Sequence, residues 1–93
     1  MKNALIIEAE DNVVVVTDDV SVGEKVGYTL KGQNIELTAA TDVPVYHKIA
    51  RMPISKGNKV IKYGQIIGVA TSDIAEGEHV HIHNVKSMSR EVQ

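Results

Sequence analysis

The chain contains no cysteine, phenylalanine or tryptophan, and only two prolines and three tyrosines among 93 residues. Without cysteine there is no disulfide framework and no thiolate zinc site, which suits a reducing cytoplasm. The tyrosines (Tyr28, Tyr46 and Tyr63) do not interleave with basic runs, and the formal charge is −2, so no nucleic-acid platform is expected. Long apolar runs are also missing. Ala4–Ile7 is followed by acids and is too short for a signal-peptide core or a bilayer span, so no membrane partner is expected and a cytoplasmic location is.

Leucine is scarce as well, standing only at positions 5, 30 and 37, whereas valine and isoleucine together number 24. β-Branched side chains lose rotamer freedom in helices and fit the pleated surface of strands, so the composition predicts an all-β protein. No window carries a 3.6-residue apolar period, and short apolar runs alternate with turn residues about every ten positions. Strands are expected at Ala4–Ile7, Val13–Thr17, Lys25–Leu30, Asn34–Ala39, Val45–Ile49, Lys59–Ile61, Ile66–Ala70 and His79–His83. The length allows one domain over 1–93, with a core of about 4–85 and a polar tail over 86–93. So small a domain buries only about two-thirds of its unfolded surface, which disfavours a deep, self-contained catalytic pocket.

An internal repeat runs through the chain. Asp19-Val20-Ser21-Val22-Gly23-Glu24-Lys25-Val26 matches Asp73-Ile74-Ala75-Glu76-Gly77-Glu78-His79-Val80, and Pro53-Ile54-Ser55-Lys56-Gly57-Asn58-Lys59-Val60 is a looser copy. Each places a β-branched anchor, then a glycine able to take positive φ, then a valine, as a corner of a small β protein would. Pro44 and Pro53 bracket a segment in which Val45, His47 and Ile49 would share one face and Lys48 the other.

Glu78-His79-Val80-His81-Ile82-His83-Asn84 holds three of the four histidines. As a strand it would turn Val80 and Ile82 to the core and His79, His81 and His83 outward together. A His-x-His pair can reach one metal ion, so His81 and His83 are the metal candidates, with His79 peripheral, nearer the Gly77 turn. Asn84 would add an amide dipole at the strand end. A solvated polar face is the bland alternative. His47 reads equally well as a half-buried structural residue, Lys48 as a solvated cation, Lys62-Tyr63-Gly64 as a hairpin corner, and Asp11-Asn12 as a loop entering a strand.

Taken in order, His47-Lys48-Ile49-Ala50, Val60-Ile61-Lys62-Tyr63-Gly64-Gln65-Ile66-Ile67-Gly68 and the segment Ile74–Asn84 resemble the N-terminal domain of altronate and galactarate dehydratases. The same module forms the small subunit of sulfolactate sulfo-lyase and belongs to the SAF group, related to antifreeze-like domains, whose fold is a β-clip. The resemblance implies a subunit of a lyase that eliminates water or sulfite from a 2-hydroxy sugar acid, leaving a 2-keto acid. It implies a large dehydratase or lyase subunit as partner and a divalent ion, Fe2+ or Mn2+, in the assembled enzyme, and self-association stays open. The catalytic candidates are then His81 and His47, with Lys48, Lys62, Tyr63 and Asn84 toward substrate. In the dehydratases a much larger domain follows this module, so the chain is either a small subunit or an excised N-terminal domain; Met1 and the lack of tag residues favour a native small subunit, and a stand-alone SAF-type carbohydrate or small-molecule binding module is the competing reading.

Overall fold

The computed structural model describes residues 2–87, and they form nine short strands and no helix. A central antiparallel sheet runs in the order β1 (Ala4–Leu5), β2 (Val13–Val16), β5 (Lys48–Ala50), β8 (His79–Val80). A hairpin of β3 (Lys25–Leu30) and β4 (Gln33–Thr38) lies to one side. A three-stranded sheet of β6 (Lys59–Lys62), β7 (Gln65–Ala70) and β9 (Val85–Ser87) lies to the other. The all-β expectation is met.

The run Val13-Val14-Val15-Val16 shows why simple alternation is weak in this sequence. Val14 and Val16, with Ile49, pack into one core with Val26, Tyr28 and Leu37 of the hairpin. Val13, with Ala50 and Val80, packs into a second core with Val60 and Ala70 of the three-stranded sheet. A strand buried on both faces reads as a continuous apolar run. The central sheet is therefore the shared wall of two thin cores.

The turns are more regular than the sequence suggests. In the three glycine copies, Gly23, Gly57 and Gly77 have φ of 89°, 90° and 89°. Their N–H groups donate to Ala39, Ala70 and Ala50, each at 2.8 Å. A fourth copy, Asp42-Val43-Pro44-Val45-Tyr46-His47-Lys48-Ile49, repeats the geometry with Tyr46 in the glycine place, at φ 69° and donating to Val16 at 2.8 Å. The four corners associate in pairs through the bridges Val20–Val43 and Ile54–Ile74.

Three boundaries differ from expectation for this reason. Val45 and Tyr46 belong to the fourth turn, so the strand expected at Val45–Ile49 is Lys48–Ala50. The strand expected at His79–His83 stops at Val80, because the chain turns over 82–84, and Ile82 is 84% exposed rather than in the core. After that turn β9 pairs with β7, so Lys86 and Ser87, assigned to the polar tail, lie in a sheet. The rest of that tail lies outside the described residues.

Candidate functional site

The site begins with register. Lys48 pairs with Val80 and Ile49 with His79, so one step outward along the same ladder sets His47 opposite His81. Alternation then places His47, His79 and His81 on one face, and the outcome is a stack of imidazoles. The rings of His47 and His81 are 4.3 Å apart, and those of His47 and His79 are 5.0 Å apart. Nδ1 of His47 lies 2.8 Å from Nε2 of His79, so the two rings share one proton between them. His83 lies within the turn over 82–84, exposed, with its ring 5.0 Å from that of His79.

The turn repeat explains how position 47 came to carry a histidine. In two other copies the equivalent residue is a glutamate that caps its own turn: Glu24 accepts from the N–H of Ser21, and Glu78 from that of Ala75, both at 2.7 Å. In the fourth copy the residue needing that cap is Pro44, which has no N–H. No carboxylate is wanted there, and the side chain at 47 is released toward β8.

Asn84 holds the histidine turn from inside. It is buried, its Oδ1 accepts from the N–H of His81 at 3.0 Å, and its Nδ2 donates to the carbonyl of His79 at 2.9 Å. The amide expected to face substrate is thus committed to the backbone. Thr41 braces the same turn, its Oγ1 accepting from the N–H of His79 at 3.0 Å.

Burial and neighbouring charge disfavour the protonated forms of His79 and His81. Burial pushes His79 down to about 4, and the positive charges available to His83, His47, His81 and Lys48 push the same way. His81 is lowered by burial first, then by His47, Lys48 and His83. Lys48, half-buried, is lowered by burial and by the nearby Lys62. Neutral imidazole is the form that binds metals and accepts protons.

One ring nitrogen from each of His47, His79 and His81 lies within 4.8 Å of the others. Sequence reasoning set His79 aside and favoured His83 beside His81; the fold brings His79 to the shared point and leaves His83 on the flank. His81 and Lys48 line a hollow of about 160 Å³ with Ile67, Ile82, Val85 and Ser87. The charge of Lys62 reaches Lys48, and the Lys62 Nζ stands 4.8 Å over the ring of Tyr63, which occupies the β6–β7 turn at φ 57°.

Asp11 fixes that turn. Buried at 1% exposure, it accepts from Gly64 at 2.7 Å and from Glu8 at 3.2 Å. Burial alone would raise its carboxyl, but the backbone bonds outweigh it and hold the group below the usual value. Asn12 adds a pair of bonds to β6, accepting from Ile61 at 2.8 Å and donating to Lys59 at 2.9 Å. Asp11-Asn12 is therefore the brace that places Lys62 and Tyr63.

A larger hollow, about 300 Å³, opens on the other side of His79 and is lined by Thr41, Asp42, Ser72, Asp73, Glu78, His83 and Asn84. Sequence reasoning missed it. Its walls are the Thr41-Asp42 and Ser72-Asp73 steps that enter two copies of the repeat, so the signal was present but read only as turn chemistry.

Residues 2–88 match the family described as the altronate/galactarate dehydratase SAF domain. The altronate dehydratase of Bacillus subtilis is 34% identical over 93 residues, which is 100% of this chain and 18% of that protein. The altronate dehydratase of Escherichia coli is 44% identical over 81 residues, 87% of this chain and 16% of that protein. The (2R)-sulfolactate sulfo-lyase subunit alpha of Chromohalobacter salexigens is 35% identical over 83 residues, 86% of this chain and 88% of that subunit. The chain thus spans about a sixth of the dehydratases and most of the lyase subunit.

Proposed function

The chain belongs to the altronate/galactarate dehydratase SAF-domain family, and from that premise we propose that it supplies the histidine–lysine part of a lyase site that a larger catalytic chain completes. The observation that carries this reading is the convergence of ring nitrogens of His47, His79 and His81, with Lys48 beside His81 and the charge of Lys62 reaching Lys48. A 2-hydroxy sugar acid is the substrate class. Loss of water from such an acid takes the proton from the carbon α to the carboxylate and expels hydroxide, as water, from the β carbon. The resulting enol tautomerises to a 2-keto acid.

Lys48 and Lys62 provide the positive charge that binds the carboxylate and stabilises the enediolate as the proton leaves. His81, which opens on the hollow beside Lys48, is placed to accept the α proton. His47 stacks on it and shares a proton with His79, so the cluster can pass a proton toward the leaving hydroxide. The donor set alternatively fits a divalent ion held by His47, His79 and His81, which would take the place of this proton relay, and three imidazoles suit Fe2+ better than Mn2+. Such an ion would hold the carboxylate and hydroxyl and add charge stabilisation.

The test is reconstitution. Neither this chain nor the large partner should turn over altronate alone, and together they should. In the reconstituted enzyme His81→Ala should lower turnover about a hundredfold or more with the melting temperature of the chain unchanged. Unchanged turnover in His81→Ala would return the histidines to a solvated face, and binding of sugar acid without turnover in the complex would favour a binding module.

A further inference from the structure

Ile82 and Tyr46 are the most exposed large hydrophobic side chains among the described residues, at 84% and 74%. Apolar residues scattered singly over a surface mean little. These two stand at one place. Ile82 follows His81 and Tyr46 precedes His47, so the Cα of each is about 3.8 Å from that of a histidine in the stacked pair.

Both are held by braced backbone. Asn84 bonds across the turn that carries Ile82, to the N–H of His81 and the carbonyl of His79. The side chain so presented extends an apolar wall: Ile82 lines the hollow beside Lys48 with Ile67 and Val85, and those two pack against the second core. Tyr46 donates its N–H to Val16 at 2.8 Å, in a positive-φ corner that the other three copies fill with Gly23, Gly57 and Gly77. A tyrosine there carries backbone strain that glycine avoids, and so exposed a side chain returns little of it by packing within this chain. Side chains on fixed turns lose little further freedom on binding, and tyrosine is among the residues that most often anchor protein interfaces.

The occupant that fits this patch is a larger chain rather than a second copy. The matched region is about a sixth of the altronate dehydratases, and the lyase protein is named as one subunit, so in neither is the module the whole enzyme. A second copy seated on the same patch by two-fold symmetry would bring the two Lys48 side chains together, each with the charge of Lys62 added, and like charges oppose that.

We propose that Ile82 and Tyr46 are the anchors by which this chain seats on the larger catalytic chain, Ile82 entering an apolar socket of that partner and Tyr46 lying against it on the other side of the histidine stack. Seating then roofs the His81 hollow and excludes water from it. The proposal rests on the reading that a larger chain completes the site, and it adds the surface which that chain grips.

The experiment is calorimetric titration of the 93-residue chain with the purified large catalytic chain of the reconstitution, beside turnover of altronate. Ile82→Ser should weaken association about thirtyfold or more, as the loss of an interface anchor does, and leave the melting temperature of the isolated chain unchanged. Tyr46→Gly should weaken association about tenfold or more while the isolated chain melts no lower, because strain is relieved as the contact is lost. Turnover in Tyr46→Gly should return to the parent level once the partner is saturating. Leu5→Thr, on the exposed strand at the far edge of the central sheet, should leave association unchanged.

Parent-like affinity in both Ile82→Ser and Tyr46→Gly would overturn the docking surface, and turnover by the same complexes would leave the lyase reading standing. Tight association that both variants weaken, in a complex without turnover, would support the surface and remove the lyase reading. No association of the parent chain with the large chain would remove both.

Discussion

His79 is where burial and crowding act on a single ring. It is half-buried, brackets His47 at 2.8 Å, and has its proton affinity reduced to about 4 by burial first and neighbouring positive charge second. In the unfolded chain the same imidazole titrates near 6.5. Above that pH both states are neutral and the stabilities are unaffected. As pH falls from about 6.5 to about 4 the unfolded chain takes up a proton that the folded one refuses, so stability drops through this window and levels below it. Melting temperatures of the metal-free protein should fall between pH 7 and pH 4.5, and His79→Gln should flatten that part of the profile. Asp11, whose carboxyl is held low, adds a further loss only once the pH falls below its ordinary value of 3.8.

The same ring decides between two ligand sets. If His47, His79 and His81 hold the ion, Fe2+ or Zn2+ in excess should raise the melting temperature by on the order of ten degrees and a chelator should reverse it. His79→Ala should abolish the rise and His83→Ala should leave it. The opposite pattern would restore the pairing of His81 with His83 that local spacing favours.

At the scale of the element, the four corners show how one turn is adapted to different duties. A Cβ at Gly57 would meet open space, whereas one at Gly77 would collide with the carbonyl of Thr38 and come within 3.0 Å of the N–H of Ala40. The close approach matters to the site, because Ala40 donates to the carbonyl of Gly77 at 2.8 Å and Thr41, one residue on, braces His79. Gly57→Ala should cost about 1–2 kcal/mol, the penalty of positive φ alone. Gly77→Ala should cost clearly more and should also disturb the His79 ring signal by NMR; equal losses in urea unfolding would argue against the packing account. Tyr46 tolerates the same backbone at φ 69° while 74% exposed, and its turn was illegible in the sequence because the glycine that marks the others is absent.

At the scale of the whole molecule, two thin cores share one central sheet within 42 × 26 × 20 Å. Each core is small, and the shared wall has an end that neither core covers. That is where β5 and β8 run out and the histidines collect, and it is the physical ground for expecting a larger chain to close the site. Among the described residues no helix is long and apolar enough to cross a membrane.

Composition and pattern by themselves determined that the chain is all-β, where six of the strands fall, that glycine corners repeat, and that three of the four histidines stand in one short segment. These properties are local: β-branched side chains favour strands wherever they stand, and a positive-φ corner asks for glycine within a few residues. Only the tertiary structure decided that His47 meets His79 and His81, that Asn84 serves the backbone, that Ile82 is outside, and that two Ser/Thr-Asp steps face one hollow. Those outcomes depend on the pairing of β5 with β8, some thirty residues apart, and on the pairwise association of the corners. Long-range register is set by the packing of both cores at once, and no local window of the sequence contains it.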